Sequence, residues 1–214
     1  MEALGVKLDL TPDRVAACIE VAGIGFCFAP MFHPAMRHAG ATRRELGIAT
    51  VFNFLGPLTN PAGATRQALG VSDPKMLPRM VETLGRLGSR HVLGFHGHQG
   101  LDELATSGPS HVLELKDGVT REWTIDPIEL GLEPASLEAI AGGDADENAA
   151  AIRSVVAGEK GPKRDVVVLN AAAGLVAAGR VEDIGAGLVT AADAIDSGEA
   201  SRVLDLMVAA SNEA

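Results

Sequence analysis

Two adjacent carboxylates, Asp102 and Glu103, are the residues of this chain best placed to hold a cation. They follow an apolar run from Val92 to Phe95, within a loop that contains glycine. In open α/β sheets, ligands bind beyond the carboxyl ends of the strands. Neighbouring carboxylates can offer several oxygens to one hard cation, and Mg²⁺ takes one or two carboxylates together with phosphate oxygens. The alternative on spacing alone is a solvated turn, because Asp-Glu pairs are common in turns.

A second group of residues could recognise a small acid. Arg43 lies on a predicted helix ten residues after His33, and its planar guanidinium could hold a carboxylate through two parallel hydrogen bonds. The alternative is a surface arginine, and Arg44 is more readily satisfied by Glu45 or water. Pro30 and His33 stand in a turn that could wall a pocket, although packing is the usual role of a single histidine.

Other chemistries have less support. His96 and His98 could bind a transition metal, but alternating histidines at a strand end are more often hydrogen-bonded within the fold. The sequence contains neither GxxxxGK[ST] nor GxGxxG, and no Ser, His and Asp set at nucleophile-elbow spacing. Cys18 and Cys27 lie in apolar surroundings, which favours two reduced, buried thiols over a disulfide or a zinc site.

Composition restricts the partners of the protein. The chain has 214 residues, of which 47% are hydrophobic, so it can bury a sizeable core. Its net charge of -10 argues against general nucleic-acid binding, which requires a basic face. The first residues lack the pattern of a signal peptide, and no apolar run approaches the ~20 residues that span a bilayer. We therefore expect a cytoplasmic protein that binds neither nucleic acid nor membrane.

Alternating strands and helices must position these side chains. Strands are predicted at 24–30, 66–73, 89–97 and 166–169, and the Asp117-Gly118 pair predicts a hairpin between two alternating runs over 111–126. Helices are predicted after Thr11, over 33–47 and 74–88, from Ala145 with Asp144 as its cap, and on both sides of Ser197-Gly198. This pattern indicates an α/β fold: a mostly parallel sheet flanked by helices, with an antiparallel hairpin at one edge.

Several longer motifs carry a family resemblance. They are Phe28-Ala-Pro, His33-Pro, RRELG at 43–47, FNFLGPLTNP at 52–61, GLDEL at 100–104 and the block GGDADENAAAIRSVVAGEKGPKRDVVVLNAA at 142–172. With them the chain closely resembles the anthranilate phosphoribosyltransferases from Met1 to beyond Gly198. The resemblance implies a nucleoside phosphorylase/phosphoribosyltransferase-like catalytic domain. Residues 1–214 would form a partial glycosyltransferase family 3 α/β domain without the family's N-terminal helical domain.

The resemblance also implies a reaction and a set of roles. Anthranilate's amine would displace pyrophosphate from phosphoribosyl pyrophosphate, a step of tryptophan biosynthesis. Arg43 matches the residue that binds the anthranilate carboxylate. Pro30, His33 and Met36 match the anthranilate pocket or its entry tunnel. Asp102 and Glu103 match the carboxylates that hold Mg²⁺ against the pyrophosphate.

No side chain is assigned to acid-base catalysis or to an organic cofactor. The family's glycine-rich diphosphate loop and Lys-His-Gly-Asn segment lie upstream of anything in this sequence. We therefore expect half of an active site, weak or no activity of the isolated chain, and a homodimer in the full-length family; the oligomeric state of this chain is left open by the sequence. The alternatives are a nucleoside phosphorylase-like enzyme and a non-catalytic remnant or interaction protein that keeps the fold.

Overall fold

The computed structural model describes residues 1–33, 45, 47 and 52–213 of the chain. Pro30, His33, Asp102 and Glu103 are among them. Met36 and Arg43 lie outside the described residues, as does nearly all of the helix predicted over 33–47.

A four-stranded mixed sheet forms the centre of the fold. Its strands lie in the order β1 (Arg66–Gly70), β2 (His91–His96), β3 (Ser110–Lys116) and β4 (Val119–Ile125). Strands β1 and β2 are parallel, whereas β2–β3 and β3–β4 are antiparallel. The α/β class and the edge hairpin are confirmed, but among the described strands only one of the three pairings is parallel.

The β3–β4 hairpin turns at the predicted pair of residues. Asp117 and Gly118 have φ values of 47° and 85°, so both occupy the left-handed region that a two-residue type I′ turn requires. Lys116 and Val119 pair directly across the turn. The Asp-Gly signal therefore located this part of the fold within a residue.

Helices flank the sheet and build the remainder of the domain. Their bounds are α1 (Pro12–Ala22), α2 (Ala29–Phe32), α3 (Phe52–Leu58), α4 (Leu77–Arg86), α5 (Leu137–Ile140), α6 (Ala145–Val156), α7 (Pro162–Ala178), α8 (Ile184–Asp196) and α9 (Glu199–Asn212). Asp144 caps α6 as predicted, since its side chain accepts from the Glu147 amide while the Glu147 carboxylate accepts from the Asp144 amide. The predicted break at Ser197-Gly198 separates α8 from α9. None of the helices within the described residues is long and apolar enough to cross a membrane.

The strand predicted at 166–169 is wrong, because these residues lie inside α7. Pro162 opens this helix at its first turn, and the helix continues through an alanine-rich stretch to Gly179. Its buried residues recur at helical spacing: Val168, Leu169, Ala172, Ala173, Val176 and Ala177. A four-residue apolar run cannot by itself distinguish a buried strand from a buried helix.

The strand predicted at 24–30 is also wrong. Residues 24–28 form no ladder with any described strand, and the chain then enters the short helix α2. Phe26 and Phe28 instead stack on each other, with ring centroids 6.5 Å apart. Aromatic content predicted an extended segment, but a strand exists only where a second strand pairs with it.

The two faces of the sheet bury different side chains. Leu93, Phe95 and Val112 face α7, where Leu169 and Ala173 complete a core cluster. The alternate residues Val92, Leu113 and Leu115 face α4 together with Leu77, Val81 and Leu84. The period of two along β2 therefore places one helix on each face. Near the chain ends, α1 packs on α9, and Cys18 and Cys27 there are free thiols.

One charged group lies inside this framework. The Glu114 carboxylate, on β3, is 4% exposed and accepts hydrogen bonds from His91 Nε2 at 2.8 Å and from Arg121 Nε. The Arg121 guanidinium also lies over the Trp123 ring, 5.6 Å from its centroid. Burial alone would raise the pKa of Glu114, but the hydrogen bonds from Arg121 and His91 outweigh it and hold that pKa below its ordinary value.

Candidate functional site

The Asp102–Glu103 pair stands on the loop that joins β2 to β3, residues 97–109. This loop begins at the carboxyl end of β2, beside the carboxyl end of the parallel strand β1. Both carboxylate side chains are exposed, whereas the next two residues, Leu104 and Ala105, are fully buried. The pair therefore projects from a loop that is anchored in the core immediately after it.

Two glycines allow the loop backbone to lie directly on the strand ends. A Cβ added at Gly70, the last residue of β1, would lie 1.4 Å from the Asp102 carbonyl oxygen. A Cβ added at Gly97 would lie 2.0 Å from the Glu103 carbonyl oxygen. Neither position can accept a side chain while the loop stays in place. Their sequence context carries no signal for this close approach, which depends on a segment about thirty residues from Gly70 and about six residues from Gly97.

An asparagine on α7 holds the same loop from the other side. The Asn170 side-chain oxygen accepts a hydrogen bond from the Leu104 amide at 3.0 Å, and its nitrogen donates to the Leu104 carbonyl at 2.7 Å and to the Val166 carbonyl at 2.9 Å. Sequence reasoning did not select Asn170. Its signal is a single amide side chain in the apolar run VVVLNAAA, because a polar group at such a position needs hydrogen-bond partners.

The electrostatics of the pair suit a cation. Partial desolvation, and then the negative charge of Asp102, raise the pKa of Glu103 above its ordinary value. Within the described part of the chain, neither carboxylate forms an ion pair. No group of three or more His, Cys, Asp or Glu residues able to hold a metal occurs among the described residues. A two-carboxylate site matches Mg²⁺, which leaves its other positions to water and phosphate oxygens.

The neighbouring histidines are hydrogen-bonded within the fold. His96 Nδ1 lies 2.8 Å from the Val71 carbonyl oxygen, and His98 Nδ1 lies 3.2 Å from the Ser107 hydroxyl. The structural role that the sequence favoured for them is confirmed, and they do not join the carboxylates in a cluster.

An open, mostly apolar cavity of about 790 Å³ adjoins Glu103. Helices α5, α6 and α7 form its walls, with Ile152, Val156 and Val167 among the apolar side chains. Glu103, Lys163 and Asn170 contribute polar groups. Glu103 of the carboxylate pair thus lies at the rim of a large concave surface.

The residues predicted for acid recognition are only partly described. Pro30 lies in α2 and is exposed, and His33 directly follows this helix and is half-buried. The predicted turn is thus a four-residue helix with His33 directly after it, and the role of Pro30 and His33 in walling a pocket stays a prediction. Arg43 and Met36 lie outside the described residues.

The helix-flanked sheet defines an α/β domain, and its carboxylate pair lies at the strand ends, where ligands bind in open α/β sheets. The chain belongs to the glycosyl transferase family, a/b domain, whose pattern it matches over residues 1–201.

Curated relatives in this family are similar over nearly the whole chain. An anthranilate phosphoribosyltransferase from Symbiobacterium thermophilum is 49% identical over 207 residues, covering 97% of this chain and 61% of the relative. One from Agrobacterium fabrum is 50% identical over 214 residues, covering 100% of this chain and 62% of the relative. The chain thus spans less than two thirds of the length of these relatives.

Solved structures agree with this assignment. The crystal structure of anthranilate phosphoribosyltransferase from Thermus thermophilus superposes with a TM-score of 0.89 at 47% identity, covering 98% of this chain and 62% of that one. The Saccharomyces cerevisiae enzyme in complex with PRPP and Mg superposes with a TM-score of 0.90 at 27% identity, covering 100% of this chain and 62% of that one.

Proposed function

We propose that this chain takes part in transferring a phosphoribosyl group from phosphoribosyl pyrophosphate to anthranilate, a step of tryptophan biosynthesis in the cytoplasm. The observation that carries the proposal is the exposed Asp102–Glu103 pair, anchored at the carboxyl edge of β1 and β2 and without an ion-pair partner among the described residues. About 50% identity to proteins with that activity gives this pair its chemical context.

Asp102 and Glu103 would hold Mg²⁺ against the pyrophosphate of the donor. Departure of pyrophosphate leaves positive charge on the ribose ring and negative charge on the leaving group. When bound, Mg²⁺ neutralises that negative charge without a proton transfer. The two carboxylates would fix where the cation binds, and hence where the diphosphate of the donor binds.

Arg43, His33, Pro30 and Met36 would receive anthranilate. The Arg43 guanidinium would bind its carboxylate through two parallel hydrogen bonds, while the rigid turn at Pro30 and His33 would wall the aromatic ring. The amine would then be held in line with the anomeric carbon, and this positioning supplies much of the rate enhancement. The neutral amine supplies the lone pair that forms the N–C bond as the bond to pyrophosphate breaks. The proton that the nitrogen then loses can pass to water or to the departing pyrophosphate, so no strong general base is needed.

Since the chain spans 61–62% of the length of its curated relatives, the 214 residues alone are expected to turn over weakly or not at all. A homodimer is proposed for the assembled enzyme, by analogy with the family.

The test measures binding and turnover separately. Purified wild-type chain and the double variant Asp102→Asn, Glu103→Gln are titrated with Mn²⁺, an oxygen-seeking probe for Mg²⁺, and free Mn²⁺ is followed by electron paramagnetic resonance. We expect one site in the wild type that the double variant lacks. In a full-length protein that contains this chain, anthranilate fluorescence should fall with time in the presence of phosphoribosyl pyrophosphate and Mg²⁺. Full turnover by the double variant would contradict the proposal.

A further inference from the structure

The carboxylate loop needs a fixed point outside regular secondary structure. Residues 101–105 belong to neither helix nor strand, so no ladder of backbone hydrogen bonds holds them. A cation site requires its ligands to be held within about 0.5 Å of the productive geometry. Some other contact must therefore define the position of this backbone.

Asn170 supplies that contact. Its side-chain oxygen accepts a hydrogen bond from the Leu104 amide at 3.0 Å, and its side-chain nitrogen donates one to the Leu104 carbonyl at 2.7 Å. Both backbone groups of one loop residue are thus held by a single side chain. The third bond, to the Val166 carbonyl at 2.9 Å, fixes the side chain to its own helix. The α7 helix is in turn packed on β1 and β2. The chain of contacts therefore runs from the sheet through α7 to the residue next to Glu103.

The ends of β1 and β2 hold the carboxylate loop on the side opposite Asn170. Gly70 and Gly97 bring the backbone of β1 and β2 against the carbonyls of Asp102 and Glu103. The loop is thus confined between two strand ends and one helix side chain, and Asn170 donates and accepts the side-chain hydrogen bonds that hold the backbone of Leu104.

We propose that Asn170 is a positioning residue for the divalent-cation site: it sets the affinity of Asp102 and Glu103 for the cation by fixing the peptide of Leu104. This inference rests on the proposed function, because it takes the two carboxylates as the cation ligands. Outer groups that orient metal ligands typically change metal affinity by 10–100-fold when they are replaced.

The variant Asn170→Asp tests this with almost no change of shape. Aspartate can still accept from the Leu104 amide, but its second oxygen faces the carbonyls of Leu104 and Val166 without a proton to donate. The loop should therefore move away from α7. We expect Mn²⁺ affinity to fall about tenfold or more, and the Leu104 amide to exchange faster with solvent hydrogen.

The chain provides a matched control in Asn148. Its side chain also binds both backbone groups of a single residue, accepting from the Gly143 amide and donating to the Gly143 carbonyl, each at 2.9 Å. Asn148→Asp makes the same chemical change on another wall of the cavity that Glu103 lines. Its hydrogen bonds go to Gly143 and not to the carboxylate loop, so this variant also controls for the added negative charge. It should leave the Mn²⁺ dissociation constant as in wild type, even if it lowers thermal stability.

The titration is run where circular dichroism shows all variants folded, and the double variant Asp102→Asn, Glu103→Gln gives the background of non-specific Mn²⁺ binding to the acidic chain. Weakened Mn²⁺ binding in Asn170→Asp alone supports the inference. Equal affinity in Asn170→Asp and wild type overturns it and leaves the proposed function intact, because Asn170 would then stabilise the fold only. If the wild type binds no Mn²⁺ above background, the cation assignment and this inference both fail.

Discussion

Replacement of Gly70 by alanine is a sharp test of how closely the carboxylate loop lies on the sheet. The new Cβ would lie 1.4 Å from the Asp102 carbonyl oxygen, whereas ordinary contact begins at 3.4 Å. Strand end and loop must therefore separate by about 2 Å. Gly70 is paired with Phe95 inside the sheet, so we expect the loop to yield rather than the strand.

The expected effects follow from that displacement. A shift of about 2 Å exceeds the ~0.5 Å tolerance of a functional site, so Mn²⁺ affinity should fall at least about tenfold. Overpacking of this kind costs about 1–3 kcal/mol, which urea unfolding followed by circular dichroism can measure. Hydrogen exchange should be faster at residues 101–104.

Gly174 provides the matched control for this substitution. It lies inside α7, and an alanine Cβ there would have no atom within 4 Å. Gly174→Ala should leave Mn²⁺ binding unchanged and stabilise the protein by up to about 1 kcal/mol, because alanine favours the helix over glycine. Wild-type stability together with wild-type Mn²⁺ affinity in Gly70→Ala would refute the close contact between strand and loop.

Two further predictions concern the framework around the site. Glu114→Gln should cost about 2 kcal/mol near pH 7, the value of a buried charge-assisted hydrogen bond. Because the folded-state pKa of Glu114 is lowered, this stabilisation is complete above the ordinary glutamate pKa and is lost as the pH falls through the lowered value. The unfolding free energies of wild type and Glu114→Gln should therefore converge between pH 7 and pH 3. A difference that stays constant over this range would contradict the pairing of Glu114. Leu169→Ala should cost about 2–5 kcal/mol, whereas Val167→Ala should change stability by less than about 0.5 kcal/mol. Residues two apart share a face in a strand but not in a helix, so equal costs would contradict α7.

The sequence predicted the bounds of those elements that begin or end at characteristic turn or capping residues. Asp117-Gly118 located the hairpin because both residues tolerate positive φ, and Asp144 with Glu147 located the start of α6 because their side chains satisfy free amides. The apolar run at 166–169 was misassigned because its burial depends on packing against the sheet. That packing is not encoded in four residues.

Of the candidate site, only the two carboxylates could be selected from the sequence. Asp102 and Glu103 could be selected because charged residues after an apolar strand suggest a ligand-binding edge. The residue that holds their loop, Asn170, could not be selected in this way. It lies far beyond Glu103 in the sequence and contacts the loop only in the folded protein. Gly70 and Gly97 likewise show their role only through distances to another segment.

The antiparallel course of β3 has a consequence for how this loop can vary. His96 and His111 face each other in the β2–β3 pair, so the segment between them leaves and re-enters the sheet at one place. If β3 were parallel to β2, the chain would instead need a crossover connection back to the opposite end of the sheet. Extra residues inserted at the exposed Pro109 would therefore lengthen a loop whose two ends stay paired in the sheet. Each doubling of loop length costs only about 0.6 kcal/mol. Position 109 is accordingly suited to a peptide insertion or a labelled tag that leaves the carboxylates in register.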